Sequence, residues 1–242
     1  MELARVLGAL ALVAACLAPA APAAAQQAPA IRPVTVGSPM PDFTMPSIQG
    51  QEVTLSKLKG KNVLLIFLRG RSGPGSWCHI CNYQHAELVD HDAREQFRKK
   101  ANLEILFVLP YGKDLVQEWV DIYITQLGHI EAWRKPDPAK MDDVAKRRLS
   151  LTKTAFPKTF TVTSAQLPGP FPILMDGDQA VSKGLGLFSL DWGGSKVEQD
   201  IPAVFLIDAT GTLQFKYVSQ NTLDRPPLPY LVRMVGLLTA PR

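Results

Sequence analysis

Cysteine is scarce in this chain: three among 242 residues, at Cys16, Cys78 and Cys81. So few thiols cannot build the disulfide framework that staples small exported domains. Histidine is almost as sparse, with four residues and none after His129. That shortage counts against metal chemistry. Half of a zinc site at Cys78 and Cys81 would need two more ligands, and the nearest candidates, His85 and His91, fall on different sides of a helix. Covalent haem attachment would want a histidine directly after the second cysteine, where Asn82 stands. No metal or cofactor is expected, and His85, His91 and His129 read as ordinary surface or boundary residues. Excess charge is lacking too, since 26 Lys and Arg stand against 22 Asp and Glu for a net +4. No basic stripe interleaves with aromatics, so nucleic acid is not an expected partner. The densest basic cluster, Lys146-Arg147-Arg148, reads as a solvated helix face.

The N-terminus carries Arg5, an apolar run over residues 6–17 and a small-residue string over 18–25. This is the layout of a secretory signal peptide, with Ala23-Ala24-Ala25 as an A-x-A-like cleavage site. The apolar run is shorter than the roughly 20 residues that span a bilayer. A rival processing site is also present, because Val13-Ala14-Ala15-Cys16 resembles a bacterial lipobox. The chain is therefore expected to be exported, to the periplasm of a bacterium, with a membrane association only if Cys16 is lipidated. Either route removes or consumes Cys16. Cleavage after Ala25 would leave 242 − 25 = 217 residues, the size of one domain with its own core. Residues 26–36 read as a flexible tether, and 37–242 as the folded domain.

With Cys16 gone, Cys78 and Cys81 can close only a short loop, which stabilises little, so chemistry is the better reason for the pair. Their setting, Trp77-Cys78-His79-Ile80-Cys81, lies between a continuous apolar run at 62–68 and a helix-period stretch. A strand-to-helix corner follows. There the unpaired N–H groups and the positive end of the helix dipole favour a thiolate at the first cysteine. The run at 103–109 is a second buried strand, and the segment between, with Cys81, His85, Leu88, Val89 and Phe97 at helical spacing, is a crossover helix. A parallel βαβ unit results. Residues 203–208 and 212–218 flank Thr210-Gly211 as a hairpin, and 228–238 form a closing helix.

Four segments stand in order along the chain: Gly37-Ser38-Pro39-Met40-Pro41-Asp42-Phe43 with Gly50, Val53-Thr54-Leu55 and Leu58-Lys59-Gly60-Lys61; Trp77-Cys78-x-x-Cys81; Pro170-Phe171-Pro172-Ile173-Leu174-x-Asp176 with Val181-Ser182-Lys183 and Gly186; and Ile201-Pro202-Ala203-Val204-Phe205-Leu206-Ile207-Asp208-x-x-Gly211. By these segments the chain resembles the redoxin and AhpC/TSA, or peroxiredoxin-like, branch of the thioredoxin-like superfamily. The resemblance implies a thioredoxin-like three-layer α/β/α sandwich of the α/β class. Residues 114–166 exceed what that fold needs and read as a mainly helical insertion near one edge of the sheet, gating or selecting a partner. Trp119, Tyr123 and Trp133 in it are read chiefly as packing.

The resemblance assigns catalysis to Cys78 as attacking thiol and Cys81 as resolving thiol. It implies a substrate-binding rim of Trp77, His79, Ile201 and Pro202: Trp77 as a partly exposed flank, His79 as a cation supporting the thiolate, and a cis Ile201–Pro202 bond exposing backbone to an extended substrate. A copper-chaperone variant of the fold would want wider cysteine spacing and a late histidine. Two positions depart from the peroxidases of the branch. Arg71 stands seven residues before Cys78, where they carry proline, and Gly75 three before, where they carry Thr or Ser. The leading expectation is thus an exported thiol–disulfide oxidoreductase acting on protein thiols and disulfides or a thiol reductant. The alternatives are a thiol peroxidase reducing hydroperoxides through Cys78, and a binding module without catalysis.

Overall fold

The computed structural model describes residues 31–137, 139 and 141–239. The signal-peptide and lipobox segments, Cys16 included, lie outside the described residues. The chain opens with strands β1 (Thr44–Pro46) and β2 (Glu52–Thr54), then β3 (Asn62–Phe67), and a small ribbon of β4 (Arg71–Gly73) and β5 (Ser76–Trp77). Helix α1 (His79–Glu95), the single turn α2 (Phe97–Lys100) and β6 (Leu103–Leu109) follow. Three helices, α3 (Lys113–Asp121), α4 (Tyr123–Arg134) and α5 (Asp143–Ala155), lead to β7 (Ile173–Met175). The last third runs α6 (Ala180–Gly184), β8 (Phe188–Ser189), β9 (Gln199–Asp200), β10 (Ala203–Ile207), β11 (Leu213–Val218) and α7 (Leu228–Thr239).

Five strands form the central sheet in the order β11-β10-β3-β6-β7. β3 and β6 pair in parallel, Asn62 facing Leu103 and Phe67 facing Val108, as a helix-crossover connection requires. β10 and β11 close as the antiparallel hairpin expected from their turn.

The nearly continuous apolar runs in β3 and β6 have one physical cause: both faces of the sheet are covered. Leu64, Ile66, Ile105 and Phe107 pack with α1, α3, α4 and α7. Their neighbours Val63, Leu65, Phe67, Leu106 and Val108 pack on the other face against Val34, Met40, Phe43 and Met45, and against Val181 and Leu185 on and beside α6. Side chains alternate faces along a strand, so a strand buried on both sides reads as continuously apolar.

Residues 114–166 are more deeply built in than an edge decoration. They form most of the crossover between β6 and β7, and Val116, Trp119 and Tyr123 are buried in the main core. Among the described residues of this segment, α5 holds no buried residue. Beyond α5, Phe160 and Val162 lie against the core half-buried.

Candidate active site

Between the end of β3 and α1 the chain makes the β4–β5 ribbon and enters the helix with Cys78 as its N-cap. The Cys78 N–H donates to Gly70 O at 2.9 Å, and Cys81 N–H to Cys78 O at 3.1 Å. Cys78 and Cys81 are both free thiols and both buried, 4% and 0% exposed. A redox cysteine at a strand-to-helix corner is expected to be accessible to its substrate; here the first sulfur is instead part of the buried core cluster.

The pair is electrically asymmetric. The Cys81 thiol donates to the Cys78 sulfur, and with Arg225 and Arg69 nearby this outweighs burial and brings Cys78 down to about 6. Cys81 is pushed upward, first by burial and then by the charge it stabilises on Cys78. A thiolate at Cys78 beside a protonated Cys81 is the arrangement of a nucleophile with its resolving partner.

The cations that act on Cys78 were not legible as a motif. Arg69, 5% exposed, follows the last residues of the β3 run. Its Nε donates to Gln199 Oε1 at 2.7 Å and its Nη2 to Ser195 Oγ at 2.9 Å. Arg225 comes from the distant segment before α7, with Nη1 donating to Asp224 O at 2.8 Å and Ser219 Oγ at 3.1 Å. A charged residue at the end of a six-residue buried strand was the one available signal for Arg69; nothing marked Arg225.

His79 is corrected. Its ring turns away to α4, where Nδ1 bonds Gln126 Oε1 and the ring lies 4.5 Å from His129 and 5.3 Å from Trp133, centroid to centroid. Arg225→Met should therefore raise the Cys78 pKa by roughly 1 unit, since an opposite charge close to a thiolate lowers its pKa on that scale. His79→Ala should leave it in place. The pH dependence of iodoacetamide alkylation measures both, and a shift confined to His79→Ala would restore the histidine to that role.

Trp77 is corrected as well. It is 2% exposed rather than an open flank. Its Nε1–H donates to Glu118 Oε1 at 2.7 Å, its ring meets Tyr111 edge-on at 5.5 Å, and Arg71 lies 5.4 Å over its face. Glu118 also receives Arg71 Nη2 at 3.2 Å. Glu118 and Tyr111 thus anchor the ribbon that carries the cysteines.

The Ile201–Pro202 bond is trans; among the described residues the cis bond is Leu167–Pro168. Ile201 and Pro202 join β9 to β10. The Ile201 N–H donates to Leu187 O at 2.7 Å, and Pro202 O accepts from Ser219 N at 2.9 Å. The backbone expected to dock a substrate strand is thus engaged inside the fold, on the donor side. The turn nevertheless lies near the cysteine corner, because Asp200 N–H donates to Arg69 O at 3.1 Å and Gln199 bridges to Gly70, whose O holds Cys78.

His85 is buried, not a surface residue. It is 1% exposed among Phe107, Trp119, Tyr123 and Phe171, with Nδ1 2.8 Å from Tyr123 OH. Burial brings it down to about 3, so it is neutral at physiological pH. His91 is half-buried and His129 exposed, as expected for boundary and surface positions.

A family model described as Redoxin matches residues 35–229. This chain belongs to the redoxin family. Among curated proteins it is similar to the chloroplastic peroxiredoxin Q of Sedum lineare, 30% identical over 100 residues that cover 36% of this chain and 54% of that protein. Peroxiredoxin Q of Triticum aestivum gives 30% identity over 100 residues, with 36% and 46% covered. The chain thus spans about half the length of the curated relatives it matches. Solved structures with the same fold include a Cys-to-Ser mutant of the peroxiredoxin 6 of Arenicola marina, at TM-score 0.54 and 14% identity, covering 84% of this chain and 72% of that one. Mycobacterium bovis AhpC follows at TM-score 0.52 and 14% identity, covering 86% and 94%.

Proposed function

We propose that this redoxin is a thiol peroxidase in which Cys78 attacks a hydroperoxide and Cys81 resolves the product. The observation that carries the reading is a buried Cys78 whose thiolate is favoured by the Cys81 hydrogen bond and by the positive charges of Arg225 and Arg69. A small O–O group suits such a closed site, and the same positive field favours an oxygen that leaves as an anion. A disulfide within a folded protein needs an open sulfur and a docking edge. Here the sulfur is covered and the Ile201 N–H is already bonded.

The steps balance. The Cys78 thiolate attacks one peroxide oxygen, the O–O bond breaks, and the alkoxide or hydroxide leaves and takes up a proton; Cys78 becomes a sulfenic acid. The Cys81 sulfur then attacks the Cys78 sulfur and releases water, closing the Cys78–Cys81 disulfide. An external thiol reductant contributes two electrons and two protons to restore the dithiol. The signal-peptide-like N-terminus supports placing this cycle in an exported compartment.

Thiol–disulfide exchange is the second reading. It is favoured by the two-residue spacing of the cysteines and by Arg71 and Gly75 at the positions where peroxidases of the branch carry Pro and Thr or Ser. One experiment separates them. The reduced protein is given hydrogen peroxide with dithiothreitol as recycling reductant, and in parallel insulin as a disulfide substrate. Catalytic loss of peroxide with slow insulin reduction is the expected result, and the reverse ranking would return the assignment to disulfide exchange.

A further inference from the structure

A groove of about 780 Å³ runs between α1, α5 and the 223–229 segment. Its volume is in the range that takes a small molecule. The walls are apolar, with Ile80, Leu151, Phe156, Leu223 and Leu228 among them. Two walls face each other without covering each other: Leu151 on α5 is 71% exposed and Leu223 on the loop 62%. α5 contributes to this groove and buries no residue of its own, so its apolar face is left for an occupant.

The polar groups in the groove define that occupant's head. Arg225 uses Nη1 for Asp224 O and Ser219 Oγ, while its Nε and Nη2 are buried and have no partner. Those two N–H groups form the parallel edge that accepts a carboxylate in bidentate fashion. Gln84, 6% exposed on α1, lines the same groove with both ends of its amide unpartnered. Arg148 on α5 adds a second positive charge, and Glu87, one turn beyond Gln84, is the single acid of the lining. An apolar tail along α1 and α5 with an anionic head at Arg225 would cover the exposed leucines and give Arg225 and Gln84 partners. A cationic head would face two arginines.

We propose that this groove binds a long-chain carboxylate, with its chain between α5 and the 223–229 segment and its head at Arg225. The inference is independent of which bond Cys78 attacks, because it concerns binding and not turnover. Titration calorimetry of the full protein with dodecanoate, dodecanol and dodecyltrimethylammonium tests it. Dodecanoate should bind saturably at one site, and the trimethylammonium compound more weakly by about tenfold or more, the scale of a lost charge-assisted contact. Leu151→Asp, at an exposed position where folding is not at stake, should weaken dodecanoate by about tenfold or more because it places a charge against the chain. Arg225→Gln should weaken dodecanoate and leave dodecanol unchanged. Absence of saturable dodecanoate binding below its micellar concentration, equal binding of the cationic amphiphile, or unchanged affinity in Leu151→Asp would overturn the proposal.

Discussion

Cys78→Ser should bring turnover of hydroperoxide or disulfide to the background level, while Cys81→Ser should keep the first chemical step and lose the cycle. The difference follows from which sulfur carries the charge. Cys78 is the helix N-cap, accepts the Cys81 thiol and feels the charges of Arg225 and Arg69, so its thiolate is the favoured ionised form. Cys81 sits one turn in, fully buried, and burial holds its proton. In Cys81→Ser the sulfenic acid or mixed disulfide formed at Cys78 has no internal partner and should accumulate, visible as an added oxygen or an added small thiol by mass spectrometry. Adduct trapped in Cys78→Ser and not in Cys81→Ser would invert the roles.

Gly70→Ala should be the most damaging single methyl addition near the site. Gly70 has φ +78°, a backbone region that costs a side chain strain of about 1–3 kcal/mol. A Cβ there would lie 2.4 Å from Tyr111 Cε2 and 2.6 Å from its hydroxyl oxygen. Tyr111 cannot withdraw cheaply: it is 2% exposed, its OH donates to Glu198 O at 2.7 Å and accepts Arg71 N–H at 2.8 Å, and its ring packs on Trp77. Strain and overpacking together predict a loss of about 2–6 kcal/mol, a large share of the 5–15 kcal/mol typical of a domain. The melting temperature of the reduced protein should fall by about 4–24 °C on this scale. The Gly70 carbonyl also holds the Cys78 N–H, so alkylation of Cys78 should change along with stability. An alanine variant melting within about 2 °C of the parent, with unaltered alkylation, would show that the corner has slack that the Tyr111 contacts rule out.

The two tests of chemistry meet at Arg225. It is a positioning charge for the Cys78 thiolate, and it lines the groove in which the carboxylate is proposed to bind. An occupant with an anionic head would partly neutralise the cation beside the nucleophile, so binding in the groove and ionisation of Cys78 are linked in sign: each should oppose the other.

Local patterns in the chain encode its secondary structure. The two nearly continuous apolar runs specified strands buried on both faces; the helical spacing from Cys81 to Phe97 specified the crossover; Thr210-Gly211 between β-rich runs specified the hairpin. Those elements stand at or within a residue or two of the expected bounds. Cys78 and Cys81 were legible for the same reason, since their spacing and their place before a helix are one-dimensional facts. Packing alone settles which groups surround them. Arg225 lies far along the chain, and its charge acts on Cys78 only because the segment before α7 is brought to the same side of the fold as α1. The Trp77 flank proved closed because Glu118 and Tyr111, from two other elements, bond and cover it. The Ile201 N–H was already spoken for by Leu187, and His79 found Gln126 and His129 on a helix whose position no periodicity reports. Charge and hydrogen bonding act through space over a few ångströms, and residues that distant in sequence come within that reach only when the sheet and its helices close.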